Sequence, residues 1–144
     1  MAFNKEKKYS GKHPQTEAVD PEIKNYIYRL ANEGKLSCAV AFEIAEEKNI
    51  SPHKVGINID LLDIRLTKCQ LGLFGYKPKK KLLKPPNLAD PDIESAVFEA
   101  LVNGRLSCSR AWEIATRFNV NKITVSSTCE LLGIKISDCQ LGAF

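Results

Sequence analysis

The chain has 144 residues, of which 44% are hydrophobic and 26% are charged, and its formal net charge is +4. These fractions are typical of a globular protein and exclude a disordered chain, and no run approaches the roughly 18 consecutive apolar residues of a membrane span. Because the first residues are polar and lysine-rich, without the apolar segment of a signal peptide, we expect a cytoplasmic protein with no membrane partner.

Residues 1–19 mix lysine, glycine, serine and proline without hydrophobic periodicity, which predicts a flexible basic arm. A first helix is predicted to start at Asp20-Pro21, because Asp is a good N-cap and Pro is favoured at the first helical position. We expect Gly34 to end this helix. Its apolar residues recur at helical spacing: Ile23, Tyr26, Ile27 and Leu30.

Two further helices are predicted to follow closely. Ser37 caps the second helix and Asn49 marks its end, and Ser51-Pro52 opens the third. Because so short a turn separates them, the two helices must cross steeply. The apolar positions of the second helix are Cys38, Ala41, Phe42 and Ala45, and those of the third are Val55, Ile59 and Leu62.

The third helix is followed by an alternating segment, Ile64-Arg65-Leu66-Thr67, which predicts a short half-buried strand. This strand either stands alone or forms a small hairpin, or wing, with the residues after it. Residues 75–89 then carry five lysines and no acidic residue, which predicts an extended Lys/Pro-rich linker. These lysines are Lys77, Lys79, Lys80, Lys81 and Lys84.

The whole pattern occurs twice. Residues 20–74 and 90–144 align without a gap, with 21 identities in 55 positions, which makes the chain a tandem duplication. We therefore predict a mostly α-helical protein made of two three-helix units, residues 20–74 and 90–144, each with a short β-strand or small hairpin. The segment Cys69-Gln70-Leu71-Gly72 returns as Cys139-Gln140-Leu141-Gly142. We expect its leucine to pack the strand back onto the helices, and a contact from Gln70 or Gln140 to a phosphate or base edge is the alternative.

Ala45, Asn49 and Val55 lie at the spacing of a close helix crossing, and Ala115, Asn119 and Val125 repeat it. This resembles the helix-turn-helix family of DNA-binding domains, in which a small residue, a turn residue and an aliphatic residue let two helices cross closely. With a preceding helix and a following strand, each unit resembles a small winged helix.

The resemblance implies a transcription regulator that binds double-stranded DNA. Its third helices would enter successive major grooves as recognition helices, while the linker and arm lysines would contact phosphates. The outward face of the third helix is expected to include Gly56 and Asp60 as well as the candidates. The candidate DNA-binding residues are His53, Lys54, Asn58, Lys79, Lys80, Lys81, Lys122, Thr124, Ser126 and Ser127.

Two other functions remain open. Trihelical units of this type also serve as protein-docking adaptors, so a protein partner is the first alternative. The second is a metal or redox sensor, because Cys38 and Cys69 recur as Cys108 and Cys139 and four thiolates could bind zinc or an iron–sulfur cluster. Without a Cys-x-x-Cys motif, a structural role for these thiols is favoured, so we predict no metal and no cofactor.

No enzymatic activity is predicted. The two histidines, His13 and His53, are not repeated. The sequence contains no Gly-rich phosphate loop, nucleophile motif or carboxylate pair with a positioned partner.

Overall fold

A computed structural model describes residues 11, 18–76 and 82–144. These described residues are mostly helical, as predicted, with six helices and four short strands. The helices are α1 (Pro21–Leu30), α2 (Cys38–Lys48), α3 (Pro52–Leu61), α4 (Pro91–Ala100), α5 (Cys108–Phe118) and α6 (Lys122–Leu132). The strands are β1 (Lys35–Ser37), β2 (Arg65–Thr67), β3 (Arg105–Ser107) and β4 (Lys135–Ser137). Within the described ranges, every helix is too short or too polar to cross a membrane.

The helices of the first repeat start at the predicted caps. The Asp20 carboxylate accepts the backbone N–H of Glu22 at 2.9 Å, and the Ser37 hydroxyl accepts that of Val40 at 3.3 Å. The α3 start is capped by the Ser51 hydroxyl, which accepts the backbone N–H of Lys54 at 3.1 Å. Each bond satisfies a backbone donor that the first helical turn leaves without an intrahelical partner.

The ends of the first two helices differ in how well they were predicted. Asn49 ends α2 in the left-handed conformation, with φ 52°, as the sequence indicated. Gly34 does not end α1, which stops at Leu30. Instead, Glu33 and Gly34 both have positive φ, 53° and 73°, and form a tight turn that brings the chain into β1. Glycine suits such a two-residue turn because it adopts positive φ without steric cost.

The predicted strands are present at β2 and β4, but their partners differ from the hairpin expectation. β2 pairs in parallel with β1, in the register Lys35↔Arg65 and Ser37↔Thr67, and β4 pairs in the same way with β3. A parallel pair needs a long crossover, which α2 and α3 provide here. The residue after β2, Lys68, has φ 49°, which turns the chain away instead of continuing it into a second strand.

The chain forms two compact units, and their boundaries do not follow the repeats. One unit contains the described residues up to Lys68 together with Gln140–Ala143, and we call it unit 1. The other, unit 2, contains the described residues of Cys69–Cys139 together with Phe144. The Gln-Leu-Gly segment of each repeat therefore belongs to the unit built from the helices of the other repeat.

We call these Gln-Leu-Gly segments, residues 70–72 and 140–142, the exchanged segments. Each core includes the leucine of one exchanged segment. In unit 2, Leu71 has no exposed surface and belongs to the cluster that contains Val97, Leu106 and Val125. In unit 1, Leu141 is 2% exposed. The other large, fully buried side chains of unit 1 are Ile27, Ile44, Val55 and Ile59.

Most of the predicted apolar positions are buried, with some exceptions. Leu30 is 43% exposed because it lies in the last turn of α1. Leu62 and Leu132 are only half-buried, because both lie at helix ends, Leu62 as the C-cap of α3 and Leu132 as the last residue of α6.

Candidate nucleic-acid interface

The first turn of α3 carries two of the candidate DNA-binding residues on its surface. His53 and Lys54 are both exposed and are the second and third residues of α3, after the Ser51 cap and Pro52. Because the cap satisfies the backbone N–H of Lys54, the helix start is fixed while both side chains remain accessible.

Asn58, the third candidate in this helix, is 3% exposed and has a structural role. Its side-chain oxygen accepts the backbone N–H of Asp20 at 2.8 Å, and its amide donates to the carbonyl of Lys54 at 2.9 Å. These bonds tie the start of α1 to α3. The expected outward position of Asn58 is therefore wrong, and Gly56 and Asp60 are buried as well.

Gly56 is buried because the exchanged segment lies against it. A Cβ atom at Gly56 would overlap the backbone carbonyl of Leu141, which belongs to the same unit. A Cβ atom placed on the next residue, Gly142, would lie 4.0 Å from His53 Nδ1. Part of the α3 face that a recognition helix would present is therefore covered by Gln140–Ala143.

The corresponding face of α6 is covered in the same way. Ser126, at the position equivalent to Gly56, is 1% exposed and donates its hydroxyl to the carbonyl of Leu71 at 2.5 Å. Ser127 is 4% exposed and accepts the backbone N–H of Lys84 at 3.0 Å. The expectation that Ser126 and Ser127 face outward is therefore wrong, because two distant segments of the chain pack on them.

The N-terminal end of α6 remains accessible. Thr124 is exposed, and Lys122 is half-buried with its ammonium group 4.5 Å from the centroid of the Trp112 ring. Among the N-cap residues of the six described helices, Asn121 is the one whose side chain accepts no backbone hydrogen bond. The dipole of α6 is therefore not offset by a side-chain cap at this end.

An open groove of about 890 Å³ runs along this end of α6 within unit 2. Its charged side chains are Lys84 and Lys122, and no acidic residue is found among the described residues that line it. The remaining lining residues are Gln70, Leu82, Pro86, Ala115, Thr116, Asn119, Val120, Asn121, Ile123, Thr124, Ser127 and Thr128.

Several of these residues are not among the candidate DNA-binding residues, although Gln70 is named above as an alternative contact to a phosphate or base edge. Lys84 is one of the five linker lysines, and its backbone bond to Ser127 places it beside α6. Gln70 lines the groove because its segment packs in unit 2 instead of against its own repeat. No sequence pattern indicated either placement.

The cysteines have the environment of structural thiols. Cys38, Cys69, Cys108 and Cys129 are buried, and Cys139 is half-buried. Burial raises the pKa of the Cys129 thiol to about 11 and also raises the pKa of Cys69, so both thiols are protonated at neutral pH. Among the described residues, no group of three or more His, Cys, Asp or Glu side chains is placed to hold a metal ion.

The candidate interface is thus reduced to the two helix starts and the groove. Lys79, Lys80 and Lys81 lie outside the described residues, as does most of the predicted arm, so their roles remain predictions. Comparison with known protein families, with curated proteins and with solved structures finds no match to this chain.

Proposed function

We propose that this chain is a cytoplasmic, DNA-binding regulatory protein. In this proposal, the exposed N-terminal ends of α3 and α6 contact duplex DNA, and Lys79, Lys80 and Lys81 contact its phosphates. The observation that carries the proposal is the repeated helix start. Each third helix follows a left-handed Asn turn and presents basic or hydroxyl side chains in its first turn: His53 and Lys54 in α3, Lys122 and Thr124 in α6.

The position of these side chains suits major-groove binding. Helix-turn-helix proteins contact base edges with the N-terminal residues of the second helix of the pair. In each unit we propose a helix-turn-helix pair, α2 with α3 and α5 with α6, followed by a strand in the place of a wing. The two helix starts differ in sequence, so they would contact unlike DNA surfaces.

Three of the original candidates have a different role in this proposal. Asn58, Ser126 and Ser127 hold neighbouring segments in place through their hydrogen bonds and do not contact bases. Direct readout is therefore confined to fewer residues than the sequence suggested, and phosphate contacts supply most of the affinity.

The test is the salt dependence of binding. Fluorescence anisotropy would give the affinity of the full chain for a labelled duplex of mixed sequence at several salt concentrations. Each phosphate contact adds about −0.9 to the slope of log affinity against log salt concentration. Replacing Lys79, Lys80 and Lys81 with Ala should therefore make the slope shallower by about 2 to 3.

The control removes two lysines elsewhere. Lys24→Ala with Lys135→Ala removes two exposed positive charges outside the proposed surface and should leave the slope unchanged. Absence of binding at low salt, or a slope that the triple substitution does not change, would contradict the DNA proposal.

A protein-docking function is the second candidate, and a repeated exposed aromatic residue favours it. Tyr28 on α1 and Phe98 on α4 are 52% and 50% exposed and occupy equivalent positions of the repeat. Aromatic side chains are enriched in protein interfaces. Replacing both with Ser should leave DNA affinity unchanged if the first proposal is right.

A further inference from the structure

The groove along α6 has the charge of a site for an anion. Two lysines line it, Lys84 and Lys122, without an acidic residue among its described lining. Amide and hydroxyl groups from Asn119, Asn121 and Thr124 supply neutral hydrogen-bond partners. Its volume of about 890 Å³ lies within the range of small-molecule sites, about 300–1,000 Å³, and exceeds what a single phosphate requires.

Both lysines have a contact that positions them, Lys84 through its backbone and Lys122 through its side chain. The backbone N–H of Lys84 donates to the buried hydroxyl of Ser127 at 3.0 Å, which fixes the segment that carries Lys84. The ammonium group of Lys122 lies over the Trp112 ring at 4.5 Å. Leu82, Val120 and Ile123 give the same groove an apolar surface on which a planar group could pack.

We propose that this groove binds a phosphate ester of nucleotide size. Lys84 and Lys122 would neutralise the phosphate, and the exposed Thr124 hydroxyl would donate to one of its oxygens. The uncapped N-terminus of α6 adds a favourable dipole for the same anion. The ligand is either a free nucleotide or one phosphate of a nucleic-acid backbone, and a free nucleotide would bind whether or not the chain binds DNA.

The chain carries its own reporter for this site. Trp112 is its single tryptophan, and the Lys122 ammonium group lies on its ring, so an anion that pairs with this ammonium should change the tryptophan fluorescence. The full chain would be titrated separately with adenosine monophosphate and with duplex DNA. Isothermal titration calorimetry would give the affinities independently of fluorescence.

The variant Lys84→Ala tests the assignment. It removes the charge but keeps the backbone bond to Ser127, so the melting temperature should remain unchanged while the affinity for the phosphate ester falls about tenfold. Thr124→Val should weaken binding by a smaller factor. Lys135→Ala, an exposed lysine outside the groove, should bind as the wild type does.

The outcomes separate the two sources of phosphate. A fluorescence response to adenosine monophosphate that Lys84→Ala weakens identifies a free-nucleotide site, even if the anisotropy experiment shows no DNA binding. A response to duplex DNA alone, weakened by the same variant, identifies a backbone contact. No response to either ligand, or a response of equal affinity in Lys84→Ala, would overturn the phosphate-ester proposal.

Discussion

Gly56 and Ser126 occupy the same position of the repeat, and each faces the backbone carbonyl of a leucine. In unit 2, the Ser126 hydroxyl donates to the carbonyl of Leu71 at 2.5 Å. In unit 1, no side chain is present at Gly56, and the carbonyl of Leu141 occupies the space that a Cβ would need. The backbone carbonyl of Leu141 therefore approaches α3 more closely than the carbonyl of Leu71 approaches α6.

This difference predicts whether Gly56→Ala raises or lowers the free energy of unfolding. Alanine is a better helix former than glycine by about 1 kcal/mol, so Gly56→Ala would stabilise an isolated helix. In this protein we expect the substitution to lower the free energy of unfolding by about 1–3 kcal/mol, because the backbone of Leu141 must move away. Urea unfolding followed by circular dichroism measures this change.

The control is alanine at the equivalent position. Ser126→Ala creates no overlap and removes one buried hydrogen bond, so its cost should be near 1 kcal/mol. Gly56→Ser, which introduces the residue of unit 2, should destabilise as Gly56→Ala does. An increase in stability for Gly56→Ala would show that Leu141 does not approach α3 so closely.

At the level of single residues, prediction from the sequence succeeded where the chemistry is local. Asp20, Ser37 and Ser51 cap helices that start within three residues of them, and Asn49 adopts a conformation that its own side chain tolerates. Ser126 was assigned to the surface because the groups that bury it, such as the Leu71 carbonyl, lie 55 residues away in the chain. Helical periodicity carries no information about such contacts.

The exchanged segments are the element that distinguishes this protein from two independent repeats. Leu71 is fully buried in unit 2, and Leu141 is 2% exposed in unit 1. Each helical unit therefore depends on a segment that its own repeat does not supply.

Truncating either leucine should destabilise the unit that contains the helices of the other repeat. Leu141→Ala should destabilise α3, although the substitution lies in the second repeat, and Leu71→Ala should destabilise α6. A buried Leu→Ala change costs about 2–5 kcal/mol. Hydrogen–deuterium exchange with mass spectrometry would locate the loss of protection in residues 52–61 or in residues 122–132.

The two variants serve as controls for each other, since the chemical change and the burial are the same. The exchanged arrangement would be contradicted if Leu141→Ala increased exchange in α6 and left α3 protected. Leu88 is 85% exposed, so Leu88→Ala should affect neither helix.

The strand pairing shows why part of the element arrangement could not be predicted. Four residues of alternating polarity were sufficient to predict β2 and β4, but not to identify their partners. The partner strand β1 follows a turn at Glu33 and Gly34. The sequence predicts a helix end at Gly34 because glycine is common both after helix ends and in tight turns. Pairing is decided by what the intervening helices bring together, which is not a local property.

For the whole molecule, the exchange predicts that the two halves of the chain stay associated after the connection through residues 77–81 has been cut. Residues before this segment contribute Leu71 to unit 2, and residues after it contribute Leu141 to unit 1. If a protease recognition sequence replaces residues 77–81 and is then cleaved, the two fragments should elute together from a gel-filtration column. They should separate in urea.

The control is the same cleavable chain with Leu71→Ala and Leu141→Ala together. Its fragments should separate more readily, because both exchanged segments lose their buried side chain. Separate elution of the unsubstituted fragments in native buffer would contradict the exchange.

The exchange also affects the order in which the protein can fold during its synthesis. Domains usually fold from the N-terminus onward as the chain emerges from the ribosome. Unit 1 contains the first three helices but lacks Leu141 until residues 140–143 have been made, and unit 2 has nearly all of its residues by Cys139. The unit whose helices are translated first should therefore reach its native state after the other unit, so its α3 face stays uncovered until residues 140–143 have been made.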